Sequence, residues 1–212
     1  MPSSQTVWML IAWSLGLIAL ALIGTSIGTD YWYQFSSTGS NKMSKVTNVG
    51  MWRTCTKVKV SDGWHQKECE NVILFGESAE LTEIQETLLY INRSFVIFVC
   101  LSAFTQFISK VIFFCAVPAC CHVKKKVILF FILSVLELMA AFLGIIGCIC
   151  FIALEDLGKY HTSEDNAEYQ WSFMLAWISI GLCFVESSIL VILVKVCYDE
   201  VFESGKFDYY SM

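Results

Sequence analysis

Four long apolar runs divide the chain, near Val7 to Gly28, Ser94 to Val117, Val127 to Ala153 and Trp171 to Val196. Each exceeds the roughly 20 residues that carry a helix across a bilayer, and few charges interrupt them. The pattern therefore predicts four transmembrane helices. What lies between gives the rest of a single-domain map: a connection over 29–93, a short one over 118–126, an acidic one over 154–170 and a tail over 197–212. The first run reads as a retained anchor. It is longer than a signal-peptide apolar segment, has no basic lead and ends in Ile27-Gly28-Thr29-Asp30 without a small-x-small cleavage site.

The 29–93 connection is neither short nor simply polar. It holds Tyr31, Trp32, Tyr33, Phe35, Trp52 and Trp64, which need a folded home. Alternation is moderate from Gly50 to Val60, but β-branched residues and turn signals favour strands over helix. The expected sheet is antiparallel, with strands at Tyr31 to Phe35, near Val46, at Gly50 to Val60 and at Trp64 to Val72. If Ser61-Asp62-Gly63 is a three-residue turn with Gly63 left-handed, Val60 faces Trp64, and counting back sets Cys55 opposite Cys69. Facing residues supply the Cβ separation that a disulfide requires, so the two cysteines are expected to be joined. Trp32 and Trp52 are placed at the sheet's base, either at the bilayer interface or in the sheet's own core. From Ser78 to Arg93 the spacing of Ala79, Leu81, Ile84, Leu88 and Leu89 predicts a short amphipathic helix running into the second span.

Composition narrows the class. Of 212 residues, 56% are hydrophobic and two are proline, which excludes an ordinary soluble domain. Lys124, Lys125 and Lys126 beside the membrane place the 118–126 connection in the cytoplasm. Both termini then follow it there, and Cys55 and Cys69 face the oxidising side of a multi-pass plasma-membrane protein. The expected fold is membrane α-helical: a left-handed four-helix transmembrane bundle, up-down in topology, with a small extracellular antiparallel β-sheet.

Three ionisable residues interrupt the spans, namely Lys110, Glu137 and Glu186. Each lies about ten residues in from the cytoplasmic end, or about 15 Å at helical rise, so they are expected in one intramembrane polar layer. Charge at that depth demands a partner, and a lysine clamp between carboxylates is favoured over an ion pathway. Gly16, Gly24, Gly144 and Gly147 offer close helix approach. Cys120, Cys121 and Cys197 lie where spans leave the inner leaflet and are candidates for S-palmitoylation. No nucleophile elbow, phosphate-binding loop or metal-ligand spacing is found, which argues against an enzyme and gives no cofactor or metal.

Trp32, the run Gly50-Met51-Trp52, then Cys55 and Cys69 in the first connection of a four-span chain resemble the claudin superfamily. That superfamily includes the tight-junction claudins, the epithelial and peripheral myelin membrane proteins, a lens-fibre protein and the gamma-type auxiliary channel subunits. Arg93 matches an arginine that claudins carry at this place. The chain departs from typical claudins in the longer Cys55 to Cys69 interval and the absence of a Tyr-Val ending. Its Tyr169 to Trp177 segment looks more like the epithelial membrane proteins and gamma subunits.

The resemblance implies a non-enzymatic protein of cell–cell contacts, with a paracellular barrier or ion-selective role at tight-junction-type junctions. Arg53, Lys57, Lys59, Trp64, Glu68 and Glu70 are then the partner-facing or ion-facing residues, and the hairpin is expected to present Met51 as well. The alternatives are an auxiliary subunit of an ion channel or receptor, and an epithelial membrane protein organising membrane partners. Implied partners are membrane lipid, the protein itself or its relatives in cis and in trans, an ion channel, and a PDZ domain at Tyr210-Ser211-Met212; nucleic acid is not among them.

Overall fold

The computed structural model describes residues 4–38, 44–60, 63–72, 83–119, 123–161 and 166–210. The elements in order are α1 (Ser4–Gly28), β1 (Tyr33–Thr38), β2 (Ser44–Val49), β3 (Arg53–Val60), β4 (Gly63–Asn71), α2 (Glu83–Ala119), α3 (Val123–His161), β5 (Asn166–Tyr169) and α4 (Trp171–Tyr210). All four helices contain a stretch long and apolar enough to cross a membrane. Their outward faces agree, since Phe114 is 67% exposed, Ile128 62% and Phe104 59%. In water such a surface is a liability; in hydrocarbon it meets its own kind, while the backbone stays satisfied inside the helices.

The helices outrun the apolar runs. Most of the connection expected over 154–170 is the end of α3 and then β5, and the tail expected from 197 continues α4 to Tyr210. Bilayer thickness sets the least length of a spanning helix, not the place where it stops. α2 likewise takes in Glu83 to Arg93 without a break, whereas residues 78–82 of the expected amphipathic helix lie outside the described residues.

Contacts within the chain group into two compact units. One comprises Met1–Ala21, Leu101–Leu143 and Ser179–Met212. Its described residues are all helical, around a core that includes Ala12, Phe130, Leu133, Leu190 and Leu193. Hydroxyls join its helices: Ser102 Oγ donates to Ala140 O at 2.7 Å, Ser179 Oγ to Ala19 O at 2.8 Å, and the Ser134 and Ser187 hydroxyls lie 3.0 Å apart. Such short polar side chains replace the hydrophobic drive that lipid removes.

The second unit, Leu22–Cys100 with Gly144–Ile178, carries the sheet. Its five strands run in the order β4-β3-β2-β1-β5, every neighbour antiparallel. β1 starts at Tyr33 rather than Tyr31, and β5 is an addition to the expected sheet, pairing Tyr169 with Tyr33 and Glu168 with Gln34. In the β3–β4 hairpin Val60 pairs with Gly63 and Lys59 with Trp64, so Gly63 opens a strand instead of closing a three-residue turn. A register shift at Lys57/Val58, where Gln66 is the extra residue, then restores the offset. Cys55 consequently does stand opposite Cys69. An aromatic core completes this unit: the Trp32 ring lies 4.9 Å from Phe95 and 5.2 Å from Phe151, both edge-on, and Tyr169 stacks on Phe173 at 4.7 Å.

Candidate functional site

Among the described residues, two constellations carry ion pairs. In the sheet, the Cys55–Cys69 disulfide staples β3 to β4. Asp30, which sequence reasoning passed over, organises the surroundings. Its Oδ2 accepts from Arg53 Nε at 2.6 Å and lies 4.0 Å from Cys55 Sγ. The only sequence signal for it was an acid standing directly after an apolar run. Gly50 permits the approach: a Cβ there would lie 2.6 Å from Asp30 Cα and 3.1 Å from Arg53 O. Gly50 N also donates to Arg53 O at 3.0 Å, so the glycine of Gly50-Met51-Trp52 is required by contact with backbone.

The same run buries Met51 to 1% exposure, contrary to the expectation that the hairpin presents it. Trp32 and Trp52 take different places. Trp32 is fully buried and its Nε1 donates to Ser26 O at 2.7 Å; Trp52 is 42% exposed and its Nε1 donates to Ile27 O at 2.9 Å. With Thr29 Oγ1 donating to Thr25 O at 2.8 Å, side chains thus serve three successive carbonyls in the last turn of α1, which the helix itself cannot satisfy. The start of α4 is tied in similarly, Ser172 N donating to Tyr31 O at 3.1 Å and Ser26 Oγ to Ser172 O at 2.7 Å.

The candidate ion-facing residues separate by sign. Strand alternation puts Arg53 and Lys57 on the face of Cys55, whereas Glu68 and Glu70 pair with Thr56 and Thr54 on the opposite face and are exposed. Arg53 is half-exposed although bound to Asp30. The side chains of Lys59 and Trp64 lie outside the described residues. Arg93 is a half-buried residue of α2, its guanidinium 5.7 Å from the Tyr90 ring centre.

The second constellation is buried among the helices. Lys110 Nζ on α2 donates to Glu137 Oε1 on α3 at 2.6 Å and to Glu186 Oε1 and Oε2 on α4 at 2.5 and 2.6 Å. All three side chains are at most 5% exposed. From α1, Gly16 closes over them, for a Cβ there would overlap Lys110 Nζ and Glu186 Oε2; Gly24 by contrast has nothing within 4 Å of such a Cβ. Of the cysteines near the helix ends, Cys197 is 2% exposed inside the helical core, while Cys120 and Cys121 lie outside the described residues.

Four apolar spanning helices, a disulfide-stapled antiparallel sheet and indoles capping the first helix define a class: integral membrane proteins with a sheet built from two inter-helix connections. Residues 17–192 match the family described as PMP-22/EMP/MP20/Claudin tight junction, and the chain belongs to that family. No individual curated protein matches it.

Proposed function

We propose that the protein is a non-enzymatic component of plasma-membrane contacts between cells, its sheet facing the outside and its termini the cytoplasm, and that the sheet governs what passes or docks between apposed membranes. The observation that carries this reading is the sorting of charge on a rigid platform: Arg53 and Lys57 on one face, Glu68 and Glu70 on the other, across a disulfide-closed hairpin. A rigid surface loses little freedom on association, so a few side chains can decide partner or ion. Membership of the family supports association with itself or related membrane proteins.

Expression in cells that lack tight junctions tests it. The protein should concentrate where two expressing cells touch and change paracellular ion preference, and Lys57→Glu should move that preference opposite to Glu68→Lys with Glu70→Lys, at equal surface delivery. Uniform surface distribution with enrichment only beside a co-expressed channel would instead establish an auxiliary subunit.

A further inference from the structure

We propose that the Lys110–Glu137–Glu186 cluster is a binding site for one proton, shared between its two carboxyl groups. Lys110 Nζ makes its contacts to Glu137 Oε1 and to both oxygens of Glu186, and none to Glu137 Oε2. Glu137 Oε2 is left buried with no hydrogen-bond partner. A bare carboxylate oxygen there is costly, whereas a carboxylic O–H turns the same atom into a donor.

Charge gives the same answer independently. One ammonium against two carboxylates, at 5%, 0% and 1% exposure, leaves a net negative charge among membrane-spanning helices unless one carboxyl is neutral. Both carboxyl groups converge on the one ammonium, at 2.6 Å from Glu137 and 2.5 and 2.6 Å from Glu186, and like charges gathered there are relieved by a shared proton.

The neighbours leave no place for a metal cation instead. Lys110 Nζ occupies the centre, and Gly16 brings α1 so close that even a methyl group would overlap the lysine. Of the groups around the pair, α2 supplies Lys110, α4 supplies Cys183, which reaches Glu137, and α1 brings Gly16 against the cluster. A thiol is a weak donor and does not replace the proton. One turn before Lys110, and on its face of α2, Gln106 is fully buried with neither amide atom bonded, a further polar group at this level of α2.

The test is infrared spectroscopy of the purified full chain in lipid nanodiscs at neutral pH. The parent should show a protonated-carboxyl carbonyl band that disappears in both Glu137→Gln and Glu186→Gln, because each leaves a single carboxylate matched to the lysine. Absence of the band from the parent, or its survival in both variants, would overturn the proposal. Should neither variant fold, isotopic labelling of the parent decides: the band must shift with carboxyl-labelled glutamate and stay put with labelled aspartate, and any other result removes the shared proton.

Discussion

The two constellations solve one problem by opposite means. At the end of α1, the groups in need of a partner are backbone carbonyls, and three are served by side chains reaching in from nearby: Trp32 to Ser26, Trp52 to Ile27, Thr29 to Thr25. In the helical unit the groups in need of a partner are buried side chains, and one lysine serves two carboxyl groups from two other helices. The first arrangement is distributed, so removing one member leaves the others standing. The second is centralised, and among the described residues Lys110 alone pairs with both carboxyl groups.

Lys110→Met should therefore be the most damaging change, by about 3 to 5 kcal/mol, because it strands buried carboxylates instead of merely deleting a bond. Adding Glu186→Gln should recover part of the loss. Thermal unfolding of the single and double variants measures both, and strict additivity would break the contrast by denying direct coupling.

Cys55→Ala comes next. Losing the bridge of a small disulfide-stapled fold typically costs about 2 to 5 kcal/mol, so surface delivery should drop, and non-reduced peptide mass spectrometry of the parent should recover Cys55 linked to Cys69. The smallest effects sharpen the distributed side. Trp32→Phe deletes a fully buried donor and should cost about 1 to 3 kcal/mol, while Trp52→Phe, whose ring is 42% exposed, should cost about 1 kcal/mol or less as water replaces the indole at Ile27 O. Equal losses in the two unfolding curves would mean that exposure is not what separates them.

What the sequence made legible follows from how far each signal reaches. Four spans are visible because hydrocarbon demands long uninterrupted runs, and the Lys110 layer because charge within such runs is rare. The Cys55–Cys69 pairing came out right through a turn that was wrong by one residue, the register shift at Gln66 making up the difference. β5 was hidden: four residues are too few to display alternation, and Asn166 to Tyr169 sit in an acidic segment that reads as solvated. The role of Gly50 was equally out of reach, since it depends on Asp30 arriving from another segment.

β5 also bears on how such a chain is made. β1 finds one partner, β2, almost at once in the emerging polypeptide, but its other edge is completed only by residues translated after three of the four spanning helices. Until Asn166 to Tyr169 appear, β1 presents an unpaired row of amides and carbonyls, available to any extended segment within reach. The hairpin and its disulfide are thus local and can form early, whereas the other edge of β1 stays open until the residues that follow α3 arrive, so a chain arrested before β5 carries an unfinished edge.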